Sequence, residues 1–103
     1  MYKVIGILKR PEGMAFDDFR RWWLEEHAPK VQRWPGLTAY NINLSLTGEE
    51  AFDGVAEVWF DSEESARGVF DTPEGRAAWE SATSGSGASV IFVAEEHVIV
   101  PGP

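Results

Sequence analysis

Residues 16–34 read F-D-D-F-R-R-W-W-L-E-E-H-A-P-K-V-Q-R-W, and the spacing of their aromatic side chains decides how the surrounding chain is read. A helix turns about 100° per residue, so positions three, four, seven or eleven apart share a face. Phe16, Phe19, Trp23 and His27 fall in one stripe, with Leu24 at its edge, while Asp17, Asp18, Arg21, Glu25 and Glu26 sit largely opposite. A helix built this way packs its aromatic stripe against an apolar partner. The same stripe carries an imidazole inward, one turn beyond Trp23. Ala15 is a poor N-cap, which Asp17 and Asp18 in the first turn offset through the helix dipole. Pro29 disfavours helical backbone at Ala28, so the helix is expected to run from about 15 to 27 and to stop or kink beside His27.

The flanking segments supply the partner. Residues 37–46, L-T-A-Y-N-I-N-L-S-L, alternate strictly, with Tyr40, Ile42, Leu44 and Leu46 on one face and Ala39, Asn41, Asn43 and Ser45 on the other. That is a strand with unlike sides. Residues 54–60 form a second strand, Val55, Glu57 and Trp59 alternating with Ala56, Val58 and Phe60. Residues 2–9 are rich in β-branched side chains and apolar on both faces, which predicts a central strand covered on two sides. Asp61-Ser62-Glu63-Glu64 opens a helix to about Phe70, and Thr72-Pro73 caps another through Trp79. Ser84 to Gly87 is expected to be a flexible connector, and residues 89–100 the last strand. The order strand, helix, strand, strand, helix, strand predicts an α+β fold, a ferredoxin-like βαββαβ arrangement with a four-stranded antiparallel sheet. Helices on one side leave the other sheet face bare. Homodimerisation through that sheet face is the expected cover.

At 103 residues the chain is expected to form one domain over residues 1–103. A net charge of −8 argues against nucleic acid and anionic membrane surfaces, which attract the opposite sign. The absence of cysteine excludes disulfides, thiolate metal sites and a cysteine nucleophile. No secretory leader or membrane span is read from the sequence, so a cytoplasmic location is expected. The two histidines lack H-x-x-x-H or H-E-x-x-H spacing, and no glycine-rich phosphate loop follows a strand. Neither a metal nor a cofactor is expected.

Taken together, F-x-x-W-W-x-x-E-H-A-P, P-G-L-x-x-Y, F-D-G-V-A-E-V-W-F, the T-P-E-G helix start and the terminal E-E-H-V resemble the EthD family. The resemblance covers nearly the whole chain in the right order. It implies a dimeric α+β barrel protein, similar in fold to muconolactone-type isomerases, polyketide cyclases and cofactor-free monooxygenases of antibiotic biosynthesis. In one relative, methylmuconolactone methylisomerase, a histidine at the end of the first helix and a tyrosine on the following strand match His27 and Tyr40. That relative's cysteines have no counterpart in this chain, so its mechanism does not carry over intact.

His27 has two readings. It is either a core histidine tied to a carbonyl, or a neutral general base whose pKa is lowered by desolvation. Its place near a helix C-terminus favours the charged ring and the structural role. Tyr40 either holds a substrate carbonyl or enolate oxygen or anchors to backbone. Trp23, Trp59, Phe60, Phe70 and Trp79 either wall a substrate pocket between sheet and helices or form plain core. Glu57 is read as a salt bridge across the dimer, Asn41 and Asn43 as lining the dimer core, and Trp22 as an exposed interface residue. The functional expectation is a cofactor-free isomerase- or lyase-type proton transfer on a small lactone, catabolic aromatic or polyketide. His27 is the base and Tyr40 the group that orients the oxygen. The alternatives are a cofactor-free monooxygenase of the same fold and a non-catalytic protein that binds an aromatic ligand for a degradation pathway.

Overall fold

The computed structural model describes residues 1–103. Its four strands, β1 (Tyr2–Lys9), β2 (Leu37–Leu44), β3 (Gly54–Phe60) and β4 (Ala88–Glu95), form one antiparallel sheet in the order β2-β3-β1-β4. The doubly apolar β1 is central, as its composition predicts. Val4, Gly6 and Leu8 face the helices, while Lys3, Ile5 and Ile7 face the other way. The register sets Tyr40 opposite Val58 and Val58 opposite Val4, so the helix-facing side chains of three strands lie in a row. No helix is long and apolar enough to cross a membrane.

Two strands are shorter than their alternation suggests. β2 ends at Leu44 because Gly54, its pairing partner, is the first residue of β3. β4 ends at Glu95, opposite Tyr2, the first residue of β1, with one further bond from the Glu96 N–H to the Met1 carbonyl. Leu46 and Val98 to Val100 are correspondingly exposed. Alternation reports which face a side chain takes. It does not report where the neighbouring strand runs out.

The first helix is irregular beside His27, as expected, but does not break there: α1 (Phe16–Trp22) passes into a π turn (Trp23–His27) and on through α2 (Ala28–Val31). Ala28 is helical, at φ −53° and ψ −42°, and its N–H bonds to the Trp23 carbonyl five residues back. The wider turn relieves the ladder just before Pro29, which has no N–H to give and would crowd the carbonyl a turn earlier.

The remaining helices are α3 (Glu63–Gly68), capped by Ser62, a 3-10 turn (Val69–Asp71), and α4 (Pro73–Gly85), capped by Thr72. α4 outruns its expected end at Trp79 by more than a turn and takes in half of the supposed flexible connector. The Thr83 and Ser84 hydroxyls bond back to the carbonyls of Trp79 and Glu80, so they do not compete with the helix. α4 buries a face of small residues, Gly75, Ala78, Ser81 and Ala82, which lets it lie close to the first helix.

The interior divides into two clusters. One gathers Val4, Val31, Trp34, Val58, Phe60 and Val69; the other gathers Leu8, Phe19, Trp23 and Ala82. His27 and Tyr40 lie at the seam between them.

The candidate active site

The π turn aims the first helix at that seam. Bonds to the fifth residue back bring side chains five apart onto one side, and Trp22 stacks on His27 with ring centroids 5.1 Å apart and planes 14° from parallel. Trp22 also stacks on Phe19 at 5.2 Å. It is therefore half-buried over the imidazole and not the exposed interface residue its helical position predicts. Its seat depends on Gly85, where a Cβ would fall 2.1 Å from the indole.

His27 is 6% exposed, and its Nδ1 lies 2.9 Å from the Ser81 hydroxyl of α4. With Nδ1–H donating to Ser81, Nε2 carries the lone pair of a base. With the hydroxyl donating, Nε2–H is an acid. Nε2 has no partner within the chain. Burial, helped by the Lys30 charge, lowers the imidazole pKa from 6.5 to about 4, so the ring is neutral at ordinary pH. Ser81 went unnoticed in the sequence. Its only signal is a hydroxyl in the i, i+3 run of small residues at 75, 78 and 81.

His27 lines a cavity of about 30 Å3 together with Trp23, Tyr40, Phe70 and Trp79 and with Val4, Leu8 and Val58 from the sheet. The walls are almost wholly apolar, and no acidic side chain, lysine or arginine reaches them. The Tyr40 hydroxyl and the Trp23 indole N–H are buried without a hydrogen-bond partner. Burial raises the phenol pKa well above its usual value, opposed in small part by the indole N–H beside it, so Tyr40 stays protonated. The Trp23 ring lies against Gly54, where a Cβ would come within 2.8 Å of it.

About 10–15 Å3 is enough for one water, whereas benzene occupies an engineered cavity of about 150 Å3. The cavity as it stands therefore admits small molecules the size of water, and a ring enters only if a wall moves. Trp79 is the one exposed wall of the cavity, 43% open to solvent and in edge contact with Phe70 at 5.4 Å.

Two of the aromatic residues expected at the pocket lie elsewhere. Trp59 points to the opposite sheet face, where its N–H donates to Glu96 at 3.1 Å and the Lys3 ammonium sits 4.8 Å above its ring. Phe60 belongs to the core, stacked on Trp34 at 6.0 Å. Alternation sets Trp59 and Phe60 on different faces, but only register tells which face meets the helices. Glu57 pairs within its own chain, with Lys3 at 2.9 Å. Asn43 spans neighbouring strands, donating to the Val55 carbonyl at 3.0 Å and to Asn41 at 3.2 Å. His97 and Glu95 pair at the surface, and no cluster of three or more metal-ligating side chains occurs.

The sequence profile of the EthD domain matches residues 11–82. Among solved structures, the chain is similar to an ethyl tert-butyl ether degradation (EthD) family protein from Bacillus halodurans. That match has 28% identity and a TM-score of 0.80, covering 94% of this chain and 99% of the other. A dimeric ferredoxin-like protein of unknown function from Thermobifida fusca matches at 19% identity and a TM-score of 0.68, over 90% of this chain and 88% of its own. SnoaB, a cofactor-independent oxygenase from Streptomyces nogalater, matches at 14% identity and a TM-score of 0.67, over 98% and 96%. The last two likenesses concern the fold. No curated protein sequence matches the chain.

Proposed function

The chain belongs to the EthD family, and from that premise we propose that it is a cofactor-independent enzyme that moves a proton on a small, neutral, cyclic or aromatic compound. The observation that carries the proposal is a neutral imidazole and a phenol O–H without a partner, both on side chains that line one apolar cavity. In this reading Ser81 accepts from Nδ1–H, which sets the tautomer that leaves the Nε2 lone pair free. Nε2 removes a proton from the carbon next to a carbonyl, electrons move onto the oxygen, and Tyr40 O–H donates to the enolate that forms. The imidazolium returns the proton to the same or another carbon, so the reaction is an isomerisation with no net redox change. An imidazolium of pKa about 4 gives its proton back readily, which suits the second step. The lack of charged cavity walls supports a neutral substrate. Trp79 and Phe70 turn aside to admit it.

A second copy of the chain covers the outer sheet face, where Val90 and Phe92 remain 47% and 45% exposed. The dimeric ferredoxin-like neighbour supports that arrangement.

The test begins with compounds that co-purify with the protein, identified by mass spectrometry and offered back as substrates. Conversion by the natural chain and its loss in His27→Ala supports the assignment. Equal conversion by His27→Ala removes it. Oxygen consumption during turnover would point instead to monooxygenase chemistry.

A further inference from the structure

Trp23, like Phe19, is fully buried, and neither its indole N–H nor the neighbouring Tyr40 hydroxyl has a hydrogen-bond partner. A buried donor without an acceptor is costly, and native proteins leave few of them. Both side chains line one small cavity, and the indole N–H lies toward the phenol oxygen without completing a hydrogen bond, so one acceptor atom supplied from outside the chain would satisfy both hydrogens. We infer that Trp23 Nε1–H and Tyr40 Oη–H form a two-donor cradle for one neutral acceptor oxygen, the ketone or lactone carbonyl of a ring compound seated in the apolar cavity. This rests on reading the cavity as the substrate site and adds a second binding group, Trp23, to it.

The surroundings narrow the class. The indole N–H can only donate and the phenol can donate as well, so an acceptor is the partner that serves both. The walls are apolar and lack any lysine or arginine, so a carboxylate or phosphate would lose its hydration without gaining a counter-ion. A hydrocarbon would leave both donors unpaired. A carbonyl oxygen has two lone pairs and takes both donors at once. The cradle also serves the proposed chemistry, because two donors are drawn closer as the oxygen gains negative charge. Gly54 under the Trp23 ring and the π turn that starts at Trp23 hold the indole in this place.

The probes are cyclohexanone labelled with 13C at its carbonyl and methylenecyclohexane, a hydrocarbon of nearly the same shape. The five tryptophans give five indole N–H signals by 1H–15N NMR. The expected result is a downfield shift of the Trp23 signal with cyclohexanone, none with methylenecyclohexane, and a downfield shift of the bound carbonyl carbon. Preference for the ketone over the hydrocarbon should fall about tenfold in Tyr40→Phe and again in Trp23→Phe. Trp23→Phe removes core volume, so Tyr40→Phe and the signals of the unaltered protein decide the matter if that variant fails to fold. Equal affinity for both probes, failure of the ketone to bind, or an unmoved Trp23 signal, as a cradle that holds only water would give, overturns the inference. His27→Gln should keep the ketone preference. A cradle that persists where proton transfer is absent separates this inference from the catalytic reading, and proton transfer without the Trp23 shift does the reverse.

Discussion

Acidification should destabilise this protein through His27, and replacing that residue with Gln isolates the effect. In the unfolded chain His27 takes up a proton as pH falls through 6.5. In the folded chain burial and Lys30 hold that step back to about 4. Between those values the unfolded state binds more protons, so the stability tied to His27 is fully present above 6.5. It is lost progressively as pH falls toward 4 and changes no further below that. At about 1.4 kcal/mol per pH unit the loss at the lower limit is about 3 kcal/mol, a large part of the roughly 5–15 kcal/mol that holds a domain of this size together. Urea unfolding at fixed protein concentration, from about pH 7.5 down to about pH 4, reads it directly. Groups common to the natural and variant chains cancel in the difference. The natural chain should lose about 3 kcal/mol more than His27→Gln over that range. Parallel stability curves would show that His27 titrates as it does in water, and the account of a desolvated, neutral ring would be wrong.

The neighbouring groups give sharper signs than magnitudes. Tyr40→Phe removes a buried hydroxyl that bonds to nothing, so thermal unfolding should find the variant as stable as the natural chain or up to about 1 kcal/mol more so, while catalysis falls. Ser81→Ala strands a buried imidazole nitrogen and should cost about 1–3 kcal/mol in urea unfolding, with activity falling through loss of the tautomer set at Nδ1. Gly85→Ala places a methyl 2.1 Å from the Trp22 ring. It should cost about 1–3 kcal/mol by overpacking and shift the His27 ring signals in NMR as the stack opens.

Much of the arrangement was legible because it follows from period. Phe19, Trp23 and His27 recur every four residues, and the imidazole faces inward as that spacing requires, with Tyr40 meeting it from the apolar face of β2. The order of elements was enough for the antiparallel sheet, and the two apolar faces of β1 for its central place. What stayed hidden depends on contacts between segments distant in sequence. Whether Trp59 or Phe60 meets the helices follows from register against β1 and β2, and the strand ends follow from where their partners stop. The π turn answers a clash at Pro29 that local preference settled the other way. Ser81 looks like one more small residue on α4 until the helix is docked 2.9 Å from His27. The size of the cavity is likewise a matter of how five aromatic rings interlock, which no pattern of residue types reveals.

The proposed chemistry is met most directly by following deuterium from D2O into the carbon beside the carbonyl of small cyclic ketones and lactones, against pH. A base of pKa about 4 predicts incorporation that is level from about pH 8 to about pH 5, falls as pH passes through about 4, and is absent in His27→Gln. Incorporation that survives His27→Gln, or that fades near pH 6.5 as for a histidine in water, would contradict it.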